Sequence, residues 1–203
     1  MNSKTIITVQ HTESEHHTNG CIGAWGDWPL TGNGRRQAQE IGKWLLNEGC
    51  GEGFVMYCSD LLRAVQTAEE INMSLHLVPV MSELIREVNA GEGNGKPRDW
   101  YNAHKTPPRD GYDPDYRPFA DAESDRDLWN RLKPFYDQII QSDDERIIIV
   151  SHGTLLSFLQ AMLMGFDFDD LRKARFNGGS GSVSRFTVDR CGRVTANYVN
   201  YRI

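Results

Sequence analysis

One short apolar run limits the possible folds more than any other part of the sequence. Residues 146–150 read "RIIIV", and "SHGTLLSFLQAML" follows at once. Consecutive β-branched residues without polar alternation are typical of a strand buried on both faces, as in a parallel sheet covered by helices. The glycine and the apolar residues after it predict a tight turn into a helix. The sequence therefore predicts a strand, turn and helix at the centre of an α/β domain.

The same alternation of strand-like and helix-like segments extends along most of the chain. Strands are predicted at 5–9, 54–59, 75–80, 146–150, 182–189 and 193–201. Helices are predicted at 30–49, 61–72 and 151–163, and after a capping Ser124. We expect one domain over residues 1–203, with a mostly parallel central sheet flanked by helices.

Residues 89–122 differ from the rest of the chain. They are rich in Gly, Pro, Asp and aromatic residues and show little periodicity. An irregular segment this long in a compact domain is more often a lid or binding loop than a linker. We expect a cap over a binding site. Its basic residues are Lys96, Arg98, Lys105, Arg109 and Arg117.

Charge and composition exclude several classes of partner. The chain has 22 basic and 28 acidic residues, a formal net charge of −6. Such a chain has no global positive field that would hold nucleic acid or an anionic membrane. The sequence shows no signal peptide, no segment of membrane-spanning length and no disulfide-type cysteine spacing. We expect a cytoplasmic protein, and no feature indicates an oligomeric state.

Two histidines occupy the same topological position. His11 follows the strand at 5–9, and His152 follows the strand at 146–150. Arg63 opens the helix after the strand at 54–59. Ligands of parallel α/β sheets lie at the carboxyl ends of strands, so these three side chains are expected to converge on one crevice.

Two imidazoles and a guanidinium suit the chemistry of a phosphoryl group. One neutral imidazole can attack phosphorus while the other two groups bind its oxygens. The leaving oxygen then needs a proton from a nearby carboxylic acid. From the residues alone, the candidate acids are Glu13, Glu83, Glu87 and Glu92.

Several blocks in this order resemble the histidine phosphatase superfamily, the fold of cofactor-dependent phosphoglycerate mutases and fructose-2,6-bisphosphatases. The blocks are "QHTESE", where the family has Arg-His-Gly-Glu-Thr, "DWPLTGNGRRQA", "CSDLLRAVQTA", "IREVNAGEGNG" and "VSHGTLLSFL". They extend over nearly the whole chain, and agreement of independent blocks is far more specific than any single motif.

The resemblance implies hydrolysis of a phosphomonoester, a small phosphorylated metabolite, through a phosphohistidine. It implies His11 as the nucleophile, His152 and Arg63 as phosphate ligands, and Glu87 as the acid and then the base. Glu87 is preferred because "IRE" followed by spaced glycines matches the family block, with Glu83 as the alternative. The implied reaction needs no cofactor and no metal.

Three residues depart from the family pattern, and we expect all three to contact substrate. Gln10 replaces an arginine, which would slow the enzyme roughly 2-fold to 30-fold if a neutral hydrogen bond replaces a charged one. Thr12 replaces a glycine, and its hydroxyl could donate to phosphate. His17 replaces an asparagine. If His16 and His17 were protonated, activity would favour acidic pH. For His16 an exposed loop position is preferred.

Three alternatives remain open from the sequence. His11, His16 and His17 with Glu13 and Glu15 are ligand types for zinc or nickel, although their spacing lacks the i, i+4 pair of helical metal motifs. A catalytically weak family member that binds a phosphorylated ligand is a second alternative, supported by Gln10. A mutase is a third, disfavoured because family mutases are usually longer and keep the arginine.

Overall fold

The computed structural model describes residues 2–203 and has the predicted α/β architecture. The strands are β1 (Lys4–Gln10), β2 (Val55–Cys58), β3 (Pro79–Met81), β4 (Arg146–Ser151), β5 (Val183–Val188) and β6 (Val194–Tyr201). The α-helices are α1 (Gly32–Asn47), α2 (Leu62–Leu75), α3 (Arg98–His104), α4 (Asp125–Gln141) and α5 (Gly153–Leu163). Single-turn 3₁₀ helices lie at Glu15–His17, Glu83–Ile85 and Gly91–Gly93, and a longer one at Phe168–Arg172.

The six strands form one sheet in the order β3-β2-β4-β1-β5-β6. The first four are parallel, and β5 and β6 close one edge in antiparallel fashion. β1 and β4 pair directly, with Gln10 opposite Ser151 at their carboxyl ends. The residues that follow these two strands are therefore neighbours in space.

Helices cover both faces of the sheet, as the apolar run in β4 predicts. Ile147 and Ile149 of β4 pack in a core with α4 and α5, whereas Ile148 and Val150 pack in a core with α1 and α2. All four side chains are completely buried. Successive strand residues point to opposite faces, so only a sheet covered on both sides buries such a run.

Helix α5 is the most apolar helix of the fold. Residues 155–163 are all buried, because this helix lies between the sheet and α4. A helix that is apolar all round is expected where every side is covered by protein. Within residues 2–203 no helix has the length and apolar content needed to cross a membrane.

The predicted strand at 75–80 is wrong over residues 75–78, because β3 comprises only Pro79–Met81. Helix α2 continues to Leu75, and His76 ends it in the left-handed conformation with φ of 55°. Leu75 lies four residues after Ile71 and is buried in the same core. Burial of Ile71 and Leu75 on one face of α2 stabilises the helix as far as Leu75, although residues 75–80 have a strand-like pattern.

The predicted cap-like insert, residues 89–122, is more ordered than its composition suggests. It contains the 3₁₀ turn at Gly91–Gly93 and the helix α3. A β-bridge joins Pro97 to Cys21, and Trp25 N donates to Asn94 Oδ1 at 3.0 Å. The insert is thereby attached to the loop between β1 and α1.

Candidate active site

His11 and His152 lie side by side because the strands that precede them pair in register. His11 follows β1, and His152 immediately precedes α5 at the end of β4. Their ring centroids are 5.2 Å apart, and both side chains are at least 97% buried. The adjacent carboxyl ends of two parallel strands thus bring together residues that are 141 positions apart in the sequence.

The tautomer of His11 follows from its two hydrogen bonds. Its Nδ1 lies 2.9 Å from the carbonyl oxygen of Thr12, which can only accept. Nδ1 therefore carries the proton, and Nε2 accepts a hydrogen bond from Arg63 Nε at 3.1 Å. Burial, and then the Arg63 charge, hold the pKa of His11 well below its usual value. The neutral ring has its lone pair on Nε2, as a nucleophile requires.

His152 has one nitrogen without a partner. Its Nε2 is 2.8 Å from the Ser59 hydroxyl, whereas its Nδ1 is buried and unpaired among the described residues. Burial, and then Arg63, keep its pKa well below the usual value. An orphaned buried nitrogen is unfavourable unless a ligand pairs with it. Ser59 directly follows β2, so the rule that indicated His11 and His152 could also have indicated this residue.

Arg63 lies in the first turn of α2 and is almost completely buried. Its Nη1 donates to Gly26 O at 2.9 Å and its Nη2 to Ala24 O at 2.7 Å. Burial lowers the pKa of this guanidinium to about 10, against the opposing charges of Glu87 and Asp27. With the bond to His11, three of its five N–H groups are engaged, and two remain for a ligand.

The carboxylate of Glu87 lies at the N-terminus of α5. It accepts hydrogen bonds from the backbone N–H groups of Val88, Thr154 and Leu155, at 2.9, 3.1 and 3.1 Å. Its own carbonyl oxygen accepts from Trp25 Nε1 at 2.6 Å and from Arg131 Nη2 at 3.0 Å. Both the side chain and the backbone of Glu87 are thus held in place. No sequence motif indicated Trp25 or Arg131 in this role.

Of the four candidate acids, only Glu87 lines the cavity beside His11. Glu13 accepts instead from the Thr31 hydroxyl at 2.6 Å. The Glu83 side chain is 76% exposed and pairs with Arg86. Glu92 is exposed on the insert. Of the four carboxylates, Glu87 is therefore the one placed at the site, and its role as the acid stays a prediction.

The prediction that Thr12 donates to substrate is wrong for this structure. Thr12 is completely buried and does not line the cavity. Its N–H donates to Thr67 Oγ1 at 3.1 Å, and its hydroxyl lies 3.3 Å from the same oxygen. Its φ is not positive, so a β-branched residue is accommodated without the strain that a left-handed conformation would bring.

Gln10 and His17 line the cavity, and so does His16, contrary to the expected exposed loop position. Burial lowers the pKa of His16 to about 3, with the charges of His17, Arg63 and Arg98 acting in the same direction. Burial and Arg63 lower the pKa of His17 as well. The lowered pKa values favour neutral imidazoles in the free protein near pH 7, so the protonated state on which a preference for acidic pH would depend is disfavoured there.

The 3₁₀ turn at Glu15–His17 brings together three histidines that sequence spacing alone did not connect. One ring nitrogen each of His11, His16 and His17 lies within 4.8 Å of the others. Nitrogens at this separation could approach one cation. However, Arg63 Nε already donates to His11 Nε2, and its positive charge opposes a second cation at that nitrogen. The donor set is better suited to an anion.

Most of these groups face one open cavity of about 520 Å³, whereas His152 lies buried behind its wall and, like Thr12, does not line it. Its wall combines residues from the end of β1 and the loop that follows it, the first turns of α2 and α5, and the insert. The lining residues are Gln10, His11, His16, His17, Ile22, Gly23, Ala24, Arg63, Glu87, Val88, Ala90, Arg98, Tyr101, Gly153, Thr154, Asn177 and Gly178. Of the five basic residues of the insert, only Arg98 reaches this wall.

Comparison with known proteins gives the same family along the whole chain. Curated 2,3-bisphosphoglycerate-dependent phosphoglycerate mutases include one from Brucella melitensis that is 26% identical over 207 residues, covering 92% of this chain and 94% of that protein. The chain length therefore does not distinguish this protein from a mutase, contrary to the expectation from the sequence.

Solved structures of phosphatases share the fold. A mycobacterial glucosyl-3-phosphoglycerate phosphatase superposes with a TM-score of 0.78 at 20% identity, covering 98% of this chain and 99% of that one. The α-ribazole phosphatase of Shigella flexneri superposes with a TM-score of 0.81 at 23% identity, covering 98% and 96%. The histidine phosphatase superfamily (branch 1) matches residues 6–200 as a family model. The chain belongs to this superfamily.

Proposed function

We propose that this protein hydrolyses a small phosphomonoester through a phosphohistidine formed on His11. The observation that carries the proposal is the state of His11, a cavity residue whose proton is held on Nδ1 by the Thr12 carbonyl while its Nε2 lone pair accepts a hydrogen bond from Arg63 Nε. An unpaired buried nitrogen of His152 lies beside it. This arrangement combines a candidate nucleophile with a neighbouring imidazole that has one unpaired nitrogen.

In the first step, the lone pair of His11 Nε2 forms a bond to phosphorus. The bond from phosphorus to the ester oxygen breaks, and its electron pair leaves with that oxygen. Arg63 Nε, which donates to Nε2 in the free protein, transfers its hydrogen bond to a phosphoryl oxygen. The imidazole gains positive charge, which the Thr12 carbonyl stabilises through Nδ1–H.

Glu87 acts first as an acid towards the leaving group and then as a base towards water. In its acid form it gives a proton to the departing alkoxide. In the second step its carboxylate takes a proton from water as the water oxygen attacks phosphorus, and the pair of the P–N bond returns to His11. Its position on the cavity wall, held by three backbone N–H groups, supports this role.

Cavity size and charge support a metabolite-sized substrate. A cavity of about 520 Å³ lies in the usual range for small-molecule sites, roughly 300 to 1,000 Å³. Arg98 forms no ion pair among the described residues and reaches the wall away from the sheet, where it suits a second anionic group of the substrate. The family acts on small phosphorylated substrates, in agreement with this proposal.

Two other functions use the same site. The mutase relatives favour a phosphotransferase that returns the phosphoryl group to a second substrate hydroxyl. Gln10, which supplies no charge to the phosphate position, favours a catalytically weak protein that binds a phosphorylated ligand. The presence of both a nucleophile and a candidate acid on one wall favours hydrolysis over binding alone.

The test is hydrolysis of p-nitrophenyl phosphate without added metal from pH 5 to 8. The wild-type protein is compared with His11→Asn, and with His76→Asn as a control at an exposed helix end. We expect activity in the wild type and the control, and none in His11→Asn. Equal activity in all three would overturn the proposal. Transfer of phosphate between phosphoglycerates, with negligible release to water, would favour the mutase.

A further inference from the structure

Ser14 makes hydrogen bonds to two neighbouring histidines of the cavity wall. This serine is completely buried and precedes the 3₁₀ turn at Glu15–His17. Its backbone N–H donates to His17 Nδ1 at 3.1 Å, and its hydroxyl lies 2.8 Å from His16 Nδ1. One residue therefore orients both imidazoles through the same ring position.

The bond to His17 determines the tautomer of that ring, and the bond to His16 allows the same tautomer. A backbone N–H can only donate, so His17 Nδ1 is an acceptor and the ring proton lies on Nε2. When the Ser14 hydroxyl donates to His16 Nδ1, the proton of that ring also lies on Nε2. Within residues 2–203 both rings form their hydrogen bonds through Nδ1, and both rings line the cavity.

Both rings lie near the nucleophile. The His17 ring is stacked on His11, with centroids 5.5 Å apart and planes 8° from parallel. The His16 ring lies against Gly23, where a Cβ would come within 2.6 Å of Nε2. A larger residue at position 23 would displace the imidazole, so the glycine makes space for it.

The two imidazoles are neutral donors rather than a second pair of cations. Burial and the positive charge of Arg63 lower both pKa values, and Arg98 acts in the same direction on His16. Glu13 is the one carboxylate that opposes this shift, and it acts on His17. Protonation of His17 would also direct its Nδ1–H against the Ser14 N–H. The hydrogen-bond geometry and the nearby charges therefore both favour neutral imidazoles.

We propose that the Nε2–H groups of His16 and His17, oriented by Ser14, bind the phosphoryl oxygens of the substrate in place of the arginine that Gln10 replaces. This inference rests on the proposed function for the identity of the ligand. It adds His16 as a binding residue and Ser14 as a positioning residue. Two neutral donors thus share the role that one guanidinium has elsewhere in the family.

The test is calorimetric binding of inorganic phosphate at pH 7.5, which requires no turnover. We expect His16→Phe and His17→Phe to weaken binding about 5-fold to 10-fold each, since each loses one hydrogen bond. His16→Gln keeps an N–H donor and should recover most of the affinity. His76→Asn should bind like the wild type. Phosphate binding within 2-fold of the wild type in both phenylalanine variants would overturn the proposal.

Ser14 has a spectroscopic test. We expect Ser14→Ala to change the ¹⁵N shifts of the His16 ring, because loss of the hydroxyl frees the ring to exchange tautomers, and Ser14→Thr to restore them. Unchanged shifts in Ser14→Ala would overturn its positioning role.

The failures of the two proposals are distinguishable. If the wild type hydrolyses p-nitrophenyl phosphate through His11 and both phenylalanine variants bind phosphate as the wild type does, only the proposed role of His16 and His17 is contradicted. If both phenylalanine variants lose phosphate binding but the wild type does not hydrolyse p-nitrophenyl phosphate, only the proposed function is contradicted. No phosphate binding by the wild type would overturn the pair.

Discussion

Arg63 Nε donates a hydrogen bond to His11 Nε2 at 3.1 Å, so the proposed nucleophilic atom is already engaged in the free protein. The guanidinium is itself held by the carbonyl oxygens of Ala24 and Gly26. Ala24 has φ of 37°, a left-handed conformation that is strained for a residue other than glycine. The loop between β1 and α1 therefore contributes to the site by orienting Arg63.

Replacing Arg63 by lysine tests whether the site needs only a positive charge or also the planar shape of the guanidinium. The lysine keeps a positive charge but loses the planar group that reaches His11 and both carbonyls at once. We expect kcat for p-nitrophenyl phosphate to fall about 10-fold to 100-fold, as for the loss of one charged hydrogen bond. Thermal unfolding of the same variant serves as the control for folding. A kcat within 2-fold of the wild type in a folded variant would contradict the role of Arg63.

Replacing Glu87 by glutamine should make the rate sensitive to the leaving group. Glutamine retains the shape but cannot donate a carboxylic proton. We expect hydrolysis of an alkyl phosphate to slow far more than that of p-nitrophenyl phosphate, whose leaving group needs little protonation. The measurement is kcat/KM for both esters in both proteins. Equal slowing of the two esters would count against Glu87 as the acid.

Replacing Gln10 by arginine should increase activity. Gln10 lines the cavity, and its amide lies beside Gly153 at the start of α5. An arginine there would supply a charged hydrogen bond, and we expect kcat to rise roughly 2-fold to 30-fold. The steady-state rate of p-nitrophenyl phosphate hydrolysis is the measurement. Unchanged or lower activity would mean that the site depends on glutamine and on the His16–His17 pair.

The stability of the protein should decrease below about pH 6.5, the usual pKa of histidine. The folded-state pKa values of His11 and His152 are lowered by burial, so the unfolded chain binds protons that the folded chain excludes. Their contribution is complete above the unfolded pKa and is lost as pH falls towards the folded values. We expect a loss of roughly 2 kcal/mol between pH 6.5 and 5.5 for both residues together.

The measurement is the free energy of unfolding by urea at several pH values. His152→Asn removes one of several imidazoles with a lowered folded-state pKa, so its stability should depend less steeply on pH over this interval. Exposed His76, replaced by Asn, is the control and should leave the slope unchanged. An identical slope in the wild type and His152→Asn would show that His152 is not the source of the pH dependence.

Local sequence patterns were sufficient to predict most of the architecture. The buried run in β4 required a sheet covered on both faces, and the strand-end positions of His11 and His152 predicted their approach to each other. Where the local sequence pattern fitted either a helix or a strand, packing in the core determined which of the two formed. Residues 75–80 resemble a strand, but Leu75 belongs to α2 because it completes the buried stripe of that helix.

By itself, the sequence determined the α/β class through its periodicity and the family through the resemblance of several blocks. The strand-end positions indicated His11, Arg63 and His152 as candidate groups, and the resemblance indicated Glu87. Only the tertiary structure decided that Thr12 bonds to Thr67 and that His16 faces the cavity. Hydrogen bonds between residues far apart along the chain, and the burial that lowers the pKa of an imidazole, depend on three-dimensional neighbours. Composition and spacing contain no information about those neighbours.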